Sequence, residues 1–109
     1  MKINVYNGKE IEKTYFADDY KLMFGTLEDL IDAIDIDALD SSSEIDLAKA
    51  VAGFISNSRV TAKNIIKDMF PEITDEELRR VATDEMAICL IDAVKYVFAQ
   101  VKKIAKRKN

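Results

Sequence analysis

The side chains able to do chemistry in this chain are twenty carboxylates and one thiol, with no histidine and no tryptophan. Without histidine, imidazole acid–base catalysis, Ser–His and Cys–His nucleophiles and nearly every zinc arrangement are excluded. Asp35, Asp37, Asp40 and Asp46 invite a calcium reading. A calcium loop opening at Asp35 needs an oxygen donor at its fifth position, Gly at its sixth and usually Glu at its twelfth. The chain supplies Leu39, Asp40 and Asp46 there, so the pattern fails and a solvated acidic face remains. No GxxxxGK[ST], GxGxxG or GxSxG occurs, and Gly8, Gly25 and Gly53 stand alone. Cys89 lies between Ile88 and Leu90 in an apolar stretch, where a free cysteine acts as a small hydrophobe rather than a nucleophile. The expectation is a non-enzyme with no catalytic residue, no metal and no cofactor.

The elements that would carry these residues are mostly helical. Asn7-Gly8 is a strong hairpin signal within residues 1–16, since both residues tolerate positive φ. A two-residue loop there would put Ile3 and Val5 on the face of Glu10 and Glu12. A three-residue loop, Tyr6-Asn7-Gly8 with Gly8 left-handed, pairs Ile3 with Ile11 instead and is the reading preferred here. A lone hairpin is marginal in water, so this one must pack on helices or join another subunit. Thr26 is placed to cap a helix carrying Leu27, Leu30, Ile31 and Ile34. Ser41 with Glu44 forms a capping box before Leu47, Ala48, Val51, Phe54 and Ile55, in a helix ending near Ser56-Asn57-Ser58. A third helix covers residues 60–69 on Ala62, Ile65, Ile66 and Met69, and Pro71 stops it. Thr74 and Glu77 make a second capping box leading into Leu78, Val81 and Ala82. A last helix spans residues 84–105. Between Met86 and Val101 its only polar residues are Asp92, Lys95 and Gln100. That run is shorter than the ~18 residues of a membrane span and holds an acid and a base, so no membrane insertion is expected.

At 109 residues the chain fits one domain able to bury about 65% of its unfolded surface. The expected architecture is a mainly α, compact helical domain of about five helices with a small N-terminal β-hairpin: residues 1–16 the hairpin, 17–105 helical, 106–109 a basic tail. A single cysteine and the absence of a basic, apolar leader fit a cytoplasmic protein. Net charge is −4, unevenly placed. Residues 17–46 hold ten acids against Lys21 alone, whereas every charge from Lys95 onward is positive. Such a dipole points to contact between the chain's own ends or to head-to-tail association with a copy or partner. The basic end could touch phosphates, but an acidic chain without a reading element is a poor nucleic-acid binder. FPEIT between the short helices of residues 60–82 is likewise not the tight Gly-containing turn of a helix-turn-helix.

What remains is binding through apolar helical surface. Tyr20, Leu22, Met23 and Phe24 form an apolar group before the first helix, and Met69 and Phe70 end the third. Methionine and aromatic side chains make adaptable surfaces for partner helices. The stretch Ile66-Lys-Asp-Met-Phe-Pro-Glu-Ile-Thr-Asp-Glu-Glu-Leu-Arg-Arg-Val81, the later Val94-Lys-Tyr-Val-Phe98 and the earlier Phe24-Gly-Thr-Leu-Glu-Asp-Leu30 resemble the tail assembly chaperones of siphophages and prophages of Gram-positive bacteria. The resemblance covers most of residues 20–101, with Phe70-Pro71-x-x-Thr74-x-x-Glu77-Leu78 its sharpest piece.

That resemblance implies a small helical protein of the host bacterial cytoplasm, absent from the mature virion. Such a protein coats the helical tape measure protein, keeps it soluble and helps recruit tail tube subunits. Many family members are made in two lengths by a ribosomal frameshift, with which the terminal Lys106-Arg107-Lys108-Asn109 is compatible. The surface expected to hold the partner is Tyr20, Met23, Phe24, Met69, Phe70, Tyr96 and Phe98, with homo-oligomerisation extending the coat. A head–tail connector or other virion protein and a small nucleic-acid-binding regulator are the alternatives.

Overall fold

The computed structural model describes residues 1–33 and 44–107. Strands β1 (Lys2–Asn7) and β2 (Glu10–Phe16) pair antiparallel around Gly8 and Lys9. Gly8 has φ 67°, as expected for the residue that reverses the chain, and it is the first of the two loop residues. The register differs from the Ile3–Ile11 pairing. Ile3 faces Tyr15, Tyr6 faces Ile11, and an irregularity after Val5 adds a residue to β2. The shift puts the larger side chain inside. Ile3, Val5 and Tyr15 are buried together, while Ile11 stays 55% exposed. Tyr15 also gains a partner that Ile11 could not use, its hydroxyl donating to Glu77 Oε1 at 2.7 Å.

The hairpin docks through its β1 edge. Tyr6 N–H donates to the Arg80 carbonyl at 2.9 Å, Val5 bridges antiparallel to Val81, and Asn4 N–H donates to Glu85 Oε1 at 3.1 Å. These bonds satisfy edge groups that would otherwise be open to association. The expectation that the hairpin must pack on the helical part is met.

Helix α1 (Phe24–Ala33) begins two residues before the Thr26 cap read from sequence. Thr26 is instead buried within the first turns. The cause is tertiary: Asp68 Oδ2 accepts the Met23 N–H at 3.0 Å, and Leu27 N–H closes the first turn on the Met23 carbonyl at 2.9 Å. A carboxylate from another helix thus takes the role assigned to the local threonine. Ile34 and the Ser41 half of the first capping box lie outside the described residues, as do Asp35, Asp37 and Asp40.

Helix α2 (Glu44–Asn57) ends where the Ser-Asn-Ser run predicted and sends Val51 and Phe54 into the core. After Ser58, α3 (Arg59–Met69) buries Ala62, Ile65, Ile66 and Met69, the i, i+3, i+4, i+7 set expected of it. Phe70 leaves the helix at φ −128°, ψ 78°, outside the helical region that a following proline disfavours. The single-turn α4 (Asp75–Leu78) carries both bonds of the Thr74–Glu77 capping box. It is shorter than expected because the chain then extends to lay Val81 beside Val5.

Helix α5 (Thr83–Arg107) is the axis of the fold. Its 25 residues span about 37 Å, most of the molecule's 50 Å length. Cys89, Leu90, Ala93, Val94 and Val97 make one inward row, packed with residues of the hairpin, α1, α2 and α3 in a single core cluster. The chain is therefore mainly helical, with five helices among the described residues and a two-stranded N-terminal hairpin.

Candidate interaction surface

The seven residues expected to hold a partner divide into three pairs and Phe98. Met69 and Phe70 are each 2% exposed and belong to the core. This corrects their assignment to a surface. Met69 continues the inward stripe of α3, and the backbone turn before Pro71 swings Phe70 into the same interior.

Tyr20 and Tyr96 are brought together from distant parts of the chain. Their ring centroids lie 5.4 Å apart at an interplanar angle of 41°, a tilted pair of favourable geometry. The Tyr20 hydroxyl donates to Asp92 Oδ2 at 2.6 Å. Burial, and then this hydrogen bond, push the Tyr20 hydroxyl well above the ordinary tyrosine range, so it stays a donor. Upstream, Ala17 N–H donates to the Met1 carbonyl at 2.9 Å, fixing the point where the chain leaves the hairpin. Asp18, Asp19, Tyr20, Asp92, Lys95 and Tyr96 line a shallow cleft of about 340 Å3 there. Phe98 is half-buried further along α5.

Met23 and Phe24 are the members that face outward, 57% and 72% exposed at the head of α1. Ile31 lies seven residues after Phe24, two turns along the same helical face, and is 42% exposed. The sequence pattern places Ile31 on the inward stripe with Leu27 and Leu30. The helix instead turns Thr26 and Leu30 inward, which rotates Phe24 and Ile31 out together. A 100° rotation separates Leu30 from Ile31, and the buried threonine is the signal that fixes it. Glu28, Asp29 and Asp32 are exposed on the same helix. The result is an apolar strip at a helix start, bordered by carboxylates.

Several other polar and reactive groups bond within the scaffold. Cys89 is 1% exposed beside Met1, with its Sγ 3.6 Å from the Met1 sulfur. Burial, then the nearby Asp92 and Glu85 carboxylates, push its thiol up to about 11, above the ordinary cysteine range. Glu85 accepts from Asn4 N–H and, at 2.5 Å, from the Tyr6 hydroxyl. Glu77 accepts from Tyr15 and Thr74. A larger cleft of about 540 Å3 lies at the hairpin turn between Tyr6, Lys9, Arg79 and Arg80. Arg80 there is bound to Glu76 at 2.8 Å, to Glu12 and to the Tyr6 carbonyl, so its charge is already matched. Among the described residues no helix is long and apolar enough to cross a membrane. No family model matches the chain, and neither a curated protein nor a solved structure is similar to it.

Proposed function

We propose that this chain is a phage tail assembly chaperone that binds and solubilises the tape measure protein and helps recruit tail tube subunits. It acts in the host bacterial cytoplasm and leaves before the virion is complete. The observation that supports this reading best is the outward strip of Met23, Phe24 and Ile31, held at the start of α1 by Asp68. Isolated exposed apolar residues are ordinary, but a Met-Phe pair with a same-face Ile on one anchored helix suits a partner's apolar helix. Covering Phe24 alone is worth about 1.5–3 kcal/mol before the cost of association. Methionine adapts to irregular partners, which a coat along a long helical client requires. The tape measure protein itself enters through the sequence resemblance.

The test is co-expression with the tape measure protein of the same phage or prophage, read as soluble client and as client recovered on the tagged chain. Wild type keeps the client soluble and in stoichiometric complex. Met23→Asp with Phe24→Asp releases it to the pellet while circular dichroism stays unchanged. Recovery of portal or capsid proteins from phage-carrying cells instead would move the reading to a connector, and recovery of nucleic acid alone to a regulator.

A further inference from the structure

Helix α1 is apolar along one line and acidic along the next. Around its axis Ile31 lies about 20° to one side of Phe24, with Glu28 about 40° and Asp32 about 80° to the other. All four side chains are exposed. The half-buried Leu27, packed against the core, closes the apolar line on its inner side. A pair of carboxylates therefore runs beside the strip on its solvent side.

Those carboxylates are unanswered by the helix that carries them. α1 holds no basic residue, and among the described residues no cation pairs with Glu28 or Asp32. They stand at i and i+4, where like charges repel. Asp32 also puts a negative charge in the last turn, the helix end that favours cations. The chain leading into α1 adds to the imbalance, since residues 17–33 carry five acids against Lys21 alone. A cationic partner relieves each of these costs while it covers the apolar line.

We propose that the strip of Phe24 and Ile31 takes a basic amphipathic helix, whose apolar stripe covers the strip while two lysines or arginines one turn apart meet Glu28 and Asp32. The inference rests on the reading of this strip as the docking surface and adds the charge that the docked helix carries. The spacing suits a helix: Glu28 and Asp32 are about 6 Å apart along the axis, as are residues i and i+4 of a partner. Charge disfavours the other occupants. A nucleic acid or an anionic lipid surface brings phosphates against the carboxylates, and the same strip of a second copy brings Glu28 and Asp32 against their own kind.

Fluorescence anisotropy on the full chain, with two labelled synthetic helices, tests it. Both peptides have ~18 residues, enough to hold a helix, and share one leucine stripe at i, i+3, i+4 and i+7. One carries lysines beside the stripe and the other glutamates. At ~0.05 M salt the wild type binds the lysine peptide about tenfold tighter, and the gap closes at ~0.5 M because the charges are exposed and screened. Glu28→Lys with Asp32→Lys inverts the preference, and Glu28→Gln with Asp32→Asn removes it, with circular dichroism unchanged in both. Phe24→Ser with Ile31→Ser abolishes binding of either peptide. Equal affinity for the two peptides at low salt overturns the inference and leaves the strip standing as a docking surface. A lysine preference that both Glu28 and Asp32 variants keep overturns it in the same way. Binding of neither peptide, or lysine-peptide binding that survives Phe24→Ser with Ile31→Ser, overturns the inference and the docking surface together.

Discussion

Phe70 and Phe24 show how far two phenylalanines in similar sequence settings can differ in role. Both lie beside a methionine at a helix end, yet one is 2% and the other 72% exposed. Phe70→Ala is expected to cost about 3–5 kcal/mol in urea unfolding, since it empties a fully packed site. Phe24→Asp should change stability by no more than about 0.5 kcal/mol, because the side chain faces water and an acid suits a helix start. A large loss of stability from Phe24→Asp would place that residue in the core and remove the strip. Cys89 gives a second measurement at this scale. With its thiol buried and pushed up to about 11, it should resist a disulfide reagent at pH 8 in native buffer and react fully once the chain unfolds in urea. Stoichiometric reaction within seconds in the folded state would contradict the burial.

At the scale of elements, the helices were legible and the hairpin register was not. α3 follows from Ala62, Ile65, Ile66 and Met69 because four apolar residues at helical spacing leave one way to bury them. The capping box of α4 is a local code between Thr74 and Glu77, and both bonds form. The hairpin register depends instead on Glu77, Arg80 and Glu85, far along the chain, which select Tyr15 over Ile11 as the inward residue. Met23 likewise owes its place to Asp68, a partner that local spacing does not reveal. Thr74→Ala should cost about 1 kcal/mol through the lost cap. Gly8→Ala should also cost about 1 kcal/mol: its new Cβ meets nothing within 4 Å, but φ 67° strains any residue with a side chain. The Tyr15 hydroxyl, then the Thr74 backbone, hold the Glu77 carboxyl below the usual glutamate range, and Lys67 and Arg80 do the same for Asp75 and Glu76. A carboxyl whose pKa is lower folded than unfolded adds stability above the ordinary value, about 4.3 for glutamate, and loses it as the pH falls through the folded value. The melting temperature should therefore drop on acidification below about pH 4.3, and Glu77→Gln should flatten that drop. A melting profile that Glu77→Gln leaves unaltered would show that the carboxylate is not the sensor.

At the scale of the whole molecule, the charge imbalance was plain in the sequence, but its meaning was not. Asp18 and Asp19 lie exposed at the Tyr20–Tyr96 cleft, and α5 runs unbroken from that cleft through the basic residues to Arg107. The apolar excess of α5 points mostly inward: its row from Cys89 to Val97 fills the core, while Ile88 on the same helix is 58% exposed. The docking of β1 carries a further consequence for how the chain is made. Asn4 and Tyr6 bond to Glu85, 81 and 79 residues later in the sequence. At ~5–20 residues per second, a ribosome leaves that strand waiting roughly 4–16 s for its partner to be synthesised. A strand translated before the helices it docks on is thus one of the last elements to reach its native place. In that interval its outer edge is open to other chains, so slowing synthesis between residues 16 and 85 should raise the aggregated fraction without altering the folded product.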